Sequence, residues 1–166
     1  DFPGLQEYTQ RKPEARTVVE LAFALGHKVA IATNPLFPAT AVRQRMAWAG
    51  VDDFPYDWVT TYENSRCCKP NLCYFDAIAA RLGVPAEACL VVGDEDMDMV
   101  AARAGFATYL VPGAATALSP DTPEPTYPVY DPYDPCYGGS EARWISTARR
   151  LRWSIPVEPP TKRKEA

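Results

Sequence analysis

Three places in the chain hold residue types suited to handling phosphate. Thr33-Asn34 ends the apolar run Lys28–Thr33, and Lys69-Pro70 lies just ahead of a helical pattern. Asp94, Glu95, Asp96 and Asp98 put four carboxylates into five positions directly after Leu90-Val-Val92. The Thr33 hydroxyl can donate to a phosphoryl oxygen, with backbone N–H groups of a turn beside it. Lys69 can neutralise a transferring group as a point cation. Asp94 can hold Mg2+, which binds phosphate compounds through few protein carboxylates and several waters. Packed carboxylates repel one another unless a cation relieves them, which favours a metal. The same acids also suit a helix N-terminus through the helix dipole, so both readings of the cluster stand. If the helix starts by Asp94, then Asp94 and Asp98 share a face.

Regular elements are needed to bring these residues together. Pro13 suits a first helical turn, and Val18, Leu21, Ala22 and Leu25 follow as one apolar stripe, stopped by Gly26. Lys28–Thr33 has strand length, and Pro35 and Pro38 carry the turn after it. Val42, Met46 and Ala49 fit a second helix closed by Gly50, and Tyr56–Thr61 is rich in strand formers. Asn71 is placed to cap a third helix with Phe75, Ile78, Ala79 and Leu82 inward and Gly83 as its stop. Leu90–Val92 is a strand, a fourth helix runs through Met97, Val100, Ala101 and Ala104 to Gly105, and Ala107–Val111 is the last strand. Strand–helix alternation of this kind predicts an α/β fold with a parallel sheet and helices on both faces. In such sheets ligands bind at the carboxyl ends of the strands, where all three features converge.

The pattern fails near residue 118. Eight prolines are spread over residues 1–118, whereas the last 48 residues hold nine. Residues 119–139 read as a Pro/Tyr-rich loop, 140–154 as a helix capped by Ser140, and 155–166 as a disordered tail. A net charge of −4 gives no basic field for nucleic acid or anionic lipid, and the apolar runs are too short for a membrane span. Five cysteines is an odd number with no framework spacing, and Cys67, Cys68 and Cys73 read as structural or incidental cysteines, with oxidation sensitivity from their nearness to Lys69 as the other reading. Together with the absence of an export leader, this points to the cytoplasm. The single histidine, His27, reads as a turn residue and excludes multi-histidine metal sites.

Taken in order, Ile31-Ala-Thr33-Asn34, Lys69-Pro70 and Val91-Val-Gly-Asp94-Glu-Asp-Met-Asp98 resemble the second, third and fourth motifs of the haloacid dehalogenase-like (HAD) hydrolases. The phrases at 49–54, 82–85 and 104–108 are similar to text that such proteins carry between the motifs. The resemblance covers about residues 13–112 and implies a Rossmann-like three-layer core, a mobile cap and Mg2+-dependent phosphoryl transfer through an aspartyl-phosphate. By it, Thr33 would bind the phosphoryl group of a small phosphorylated substrate, and Asn34 would shape that pocket. Lys69 would steady phosphate and nucleophile, Asp94 would ligate Mg2+, and Asp98 would ligate it or orient its shell. The Gly-Asp-x-x-x-Asp form of the fourth motif favours a phosphatase over a dehalogenase.

One departure stands out. The family's first motif, Asp-x-Asp-x-Thr or Val after a strand, is not found in these 166 residues. Asp1–Tyr8 looks like the end of a cap returning to the core. The expectation is that the first strand, its nucleophile and most of the cap lie outside this chain, which alone would be inactive. The alternative is a non-catalytic HAD-fold binding module.

Overall fold

A computed structural model describes residues 2–111 and 118–127. The proposed helix at 140–154 and the tail at 155–166 lie outside the described residues, as does the later part of the Pro/Tyr-rich segment. A short 3-10 helix, Phe2–Tyr8, leads in, and the Phe2 ring stacks on Trp48 at 5.5 Å. Then come α1 (Pro13–Ala24), β1 (Ala30–Ile31), α2 (Ala39–Ala49), β2 (Trp58–Val59) and α3 (Leu72–Leu82). Strand β3 (Leu90–Gly93), α4 (Asp96–Met99) and β4 (Ala107–Leu110) complete the order, with α4 running on as a 3-10 turn over Val100–Ala104. The four glycines read as helix stops (Gly26, Gly50, Gly83 and Gly105) all have positive φ, a region costly for any residue with a Cβ.

The fold is α/β with parallel strands. The strands pair as two couples, β1 with β2 and β3 with β4, rather than as the one continuous sheet expected. Strand periodicity explains how β1 and β2 are covered on both faces. Ala30 and Trp58 pack on the cluster under α3, whereas Ile31 and Val59 pack on the cluster under α2. On β3, Val91 joins the α3 cluster, but Val92 points the other way and is 46% exposed. The ladders are short because few residues pair: the expected Lys28–Thr33 strand contracts to Ala30–Ile31, and Tyr56–Thr61 to Trp58–Val59.

Helix α3 is the central packing element, with Tyr74, Phe75, Ile78, Ala79 and Leu82 buried against Ala101 and Phe106. Its entry is at Asn71, as read, but by a different device. The Asn71 side chain makes no capping bond and instead donates to the Cys68 carbonyl at 3.1 Å. Helix α1 departs further from expectation. Leu21 and Leu25 are exposed, and the inward side is taken by Phe23, stacked on Phe54 at 5.7 Å. Periodicity identifies an apolar stripe but not whether a partner lies opposite it.

Arg16 ties α1 to the turn after α2. Its guanidinium donates to Asp53 at 2.8 and 2.9 Å and to the Gly50 carbonyl at 2.8 Å. The hydrogen bonds from Arg16 hold the Asp53 carboxyl below its ordinary value of 3.8. A carboxyl lowered in the folded state stabilises above its unfolded pKa, and the gain is lost as pH falls through the lowered value. Asp53→Asn is therefore expected to flatten the acid limb of a thermal-midpoint-versus-pH curve, with a small change at neutral pH because the pair is exposed.

Residues 118–127 belong to the same compact unit as the rest of the described chain. Tyr127 bridges Tyr109 in parallel, Thr126 and Thr108 exchange backbone-to-hydroxyl hydrogen bonds at 3.0 and 3.1 Å, and Arg103 donates to the Asp121 carbonyl. The Pro/Tyr-rich stretch thus begins as an anchored loop along β4. Among the described residues no helix is long and apolar enough to cross a membrane.

Candidate active site

Lys69 and Asp98 meet. The ammonium donates to Asp98 Oδ1, and both side chains are about nine-tenths buried. Lys69 comes from the loop between β2 and α3, and Asp98 from α4 just beyond β3. Their contact therefore joins the two strand pairs at the edge where parallel sheets bind ligands. The other Asp98 oxygen accepts the backbone N–H of Asp94 at 3.3 Å. Gly93 makes room for this: a Cβ there would collide with the Asp98 side chain.

The four clustered acids have separate fates. Helix α4 begins at Asp96 with Glu95 as N-cap, so Asp94 lies outside the helix. Its link to Asp98 runs through its backbone N–H instead of a shared helix face. Asp96 accepts from the Ser119 N–H at 3.0 Å and the Thr122 hydroxyl at 2.9 Å, which makes it an anchor for the loop along β4. Asp94 and Glu95 are exposed, and the Asp94 carboxylate is bonded to no described group.

Thr33 is placed after β1, but its hydroxyl is engaged: it donates to the Thr60 carbonyl at 3.0 Å. The Thr33 carbonyl accepts from the Tyr74 hydroxyl at 2.6 Å, and the Thr60 hydroxyl lies 2.8 Å from the same carbonyl. Lys69 Nζ sits 5.9 Å from the centre of the Tyr74 ring, within cation–π reach. Tyr74 therefore touches both the Thr33 turn and Lys69, and Thr60 completes the network. Asn34 Oδ1 is buried and accepts no hydrogen bond from any described residue, which leaves an acceptor open beside the Thr33 turn.

Reading the inner face of α3 from Phe75 onward missed Tyr74. The signal was present: Tyr74, Ile78 and Leu82 stand four apart, on one helix face. Burial pushes the Tyr74 hydroxyl from its ordinary 10 up to about 12. A hydroxyl whose folded pKa is raised stabilises fully below its unfolded pKa, and the gain is lost as pH rises from about 10 to about 12. Tyr74→Phe is expected to remove part of that alkaline loss. Near neutrality it should cost about 0.5–1.5 kcal/mol in urea unfolding, since Thr33 keeps Thr60 as a donor.

Among the described residues no group of three or more His, Cys, Asp and Glu could hold a metal by itself. One free carboxylate at Asp94, backed by Asp98, does fit a Mg2+ ion whose remaining shell is water and phosphate.

The thiols differ from expectation. Cys67 and Cys73 form a disulfide with Cα atoms 6.1 Å apart, while Cys68 and Cys89 are free. Spacing did not reveal the pair, because the chain turns back at Lys69-Pro70 and brings the first turn of α3 to Cys67. An open cleft of about 420 Å3 lies beside this loop, between Pro35 and the segment from Tyr62 to Cys68.

The fold is shared with solved structures of known proteins. The chain superposes on an HAD phosphatase from Thermococcus onnurineus with a TM-score of 0.59 and 21% identity, covering 74% of this chain and 57% of that one. It superposes on a dehalogenase solved with an intermediate complex with a TM-score of 0.62 and 19% identity, covering 72% and 52%. CbbY from Rhodobacter sphaeroides in complex with phosphate gives a TM-score of 0.53 and 20% identity, covering 67% and 51%. The chain spans roughly half the length of several such structures. No curated protein matches it in sequence. The family profile of the haloacid dehalogenase-like hydrolases matches residues 4–105, well over half of the sequence. The chain belongs to the haloacid dehalogenase-like hydrolases.

Proposed function

We propose that this chain supplies the phosphate- and Mg2+-holding side of a cytoplasmic phosphohydrolase that acts on a small phosphorylated metabolite. The observation that carries the reading is the buried Lys69–Asp98 pair beside the unpartnered Asp94 carboxylate, at the strand edge where Thr33 also stands. Asp94 would hold Mg2+, with Asp98 orienting the metal's shell. When bound, the ion would supply charge neutralisation for the phosphoryl group.

Lys69 donates from a fixed position, since Asp98 limits its reach. A preorganised cation of this kind stabilises developing charge without reorganising. Thr33 would turn its hydroxyl from the Thr60 carbonyl to a phosphoryl oxygen, giving up that one hydrogen bond. The open acceptor on Asn34 would take a donor from the substrate or its hydration shell.

The first-motif aspartates are not among these residues, so covalent phosphoryl transfer needs a nucleophile from elsewhere. The test is to extend the coding sequence upstream and assay both lengths against p-nitrophenyl phosphate. The longer protein should carry an apolar strand ending in Asp-x-Asp-x-Thr or Val and turn over with Mg2+, losing the activity in Asp94→Asn. The 166-residue chain should show no turnover above background. A native start at Asp1, or activity indifferent to Asp94→Asn, would overturn the reading and favour a binding module.

A further inference from the structure

We infer that Cys67 and Cys73 form a reversible redox site that controls how firmly Lys69 is held. The bond closes a ring around the Lys69 turn: Cys67 stands two residues before the lysine and Cys73 four residues after it, in the first turn of α3. Its Cα separation lies within the ordinary span of a disulfide. The two cysteines are only six apart, and closing so short a loop restrains the unfolded chain far less than closing a long one. The effect of the bond is therefore local, and what it fixes is the turn that presents Lys69 to Asp98.

The bond is open on its Cys73 side, while Cys67 packs partly against the α3 cluster. Cys73 is exposed, and Cys67 and Cys68 line the open cleft. Cys68 is free and directly follows Cys67 in the chain. In a protein of a reducing compartment, a disulfide with this access is of the transient, sensing kind.

The exchange balances with glutathione. One glutathione thiolate attacks a sulfur of the pair, the Cys67–Cys73 bond breaks, and the released thiolate takes a proton. A second glutathione attacks the mixed disulfide, freeing the other cysteine as a thiol and leaving as glutathione disulfide. Two electrons and two protons pass to the protein, and oxidation by glutathione disulfide is the reverse. In the oxidised chain Lys69 stays seated on Asp98, and reduction lets residues 68–72 move. The consequence for phosphate handling rests on the function proposed above, and the reversibility of the device rests on the cytoplasmic location proposed with it.

The test equilibrates the full 166-residue chain in oxidising and reducing glutathione buffers. It reads the Cys67–Cys73 link by peptide mass mapping and the accessibility of Lys69 by its rate of acylation with acetic anhydride. The oxidised chain should yield the linked peptide, and reduction should speed Lys69 acylation on the order of five-fold as the turn opens locally. Cys73→Ser should abolish the redox dependence and Cys89→Ser should keep it, with circular dichroism showing that both fold. Absence of the linked peptide under oxidising conditions, or equal Lys69 acylation in both buffers, would overturn the inference. Inorganic phosphate is then added to the oxidised chain. If Lys69 responds to redox state but is not protected by phosphate, the switch stands and the proposed function fails.

Discussion

An Asp98→Ala chain is expected to unfold about 3–5 kcal/mol more easily than the unaltered one, because it strands the Lys69 ammonium in a buried site. Both members of the pair are about nine-tenths buried, so water does little to compensate. The loss is not the worth of the pair itself. Replacing both partners, as Lys69→Met with Asp98→Leu, should recover most of the stability, since an apolar pair avoids the desolvation of two charges. A double-mutant cycle in urea separates the two effects. Near-additive losses would mean that the pair is solvated and does not act as a unit. The doubly replaced chain should still lose phosphate and Mg2+ binding, which makes the pair a functional requirement rather than a stabilising one. Gly93→Ala reaches the same carboxylate from the other side, since its new Cβ would displace Asp98.

Phe75→Ala is the second large effect, expected at about 3–5 kcal/mol from lost burial and the cavity left behind. Phe75 is fully buried, edge-on to Tyr74 at 5.3 Å and tilted against Phe106 at 6.0 Å. Its removal loosens the face of α3 that joins the β1–β2 cluster to β3. Leu21→Ala on α1, at 46% exposure, should change stability by no more than about 0.5 kcal/mol. Urea midpoints of the two variants make the comparison. Equal losses would mean that the α1 stripe has a partner after all.

The contrast between those leucines and Phe75 shows what could be read in the residues alone. The bounds of helix α3 were legible, because Asn71, the apolar spacing and Gly83 agree with one another, although Asn71 enters it without a capping bond and Tyr74 on its buried face was missed. The stripe on α1 was just as clear, yet Leu21 and Leu25 face outward, since burial depends on what packs opposite. The strands were placed correctly, but the first two were drawn well too long, because a ladder ends where its partner ends, while Leu90–Val92 was drawn one residue short. Of the site, the order Thr33, Lys69, Asp94, Asp98 stood out through family resemblance. Spacing along the chain carried no sign that Asp98 faces Lys69 or that Asp96 anchors the loop at 119–122. The Tyr74–Thr60–Thr33 network and the Cys67–Cys73 bond are likewise products of chain reversal.

Titrating the chain with inorganic phosphate while following amide NMR signals of residues 33–34, 69 and 93–98 decides whether Lys69 and Asp94 belong to one phosphate–Mg2+ site. Saturable shifts are expected in all three segments, strengthened by Mg2+, with phosphate binding lost in Lys69→Ala and the Mg2+ effect lost in Asp94→Asn. Shifts confined to one segment, or shifts that neither substitution alters, would contradict a shared site.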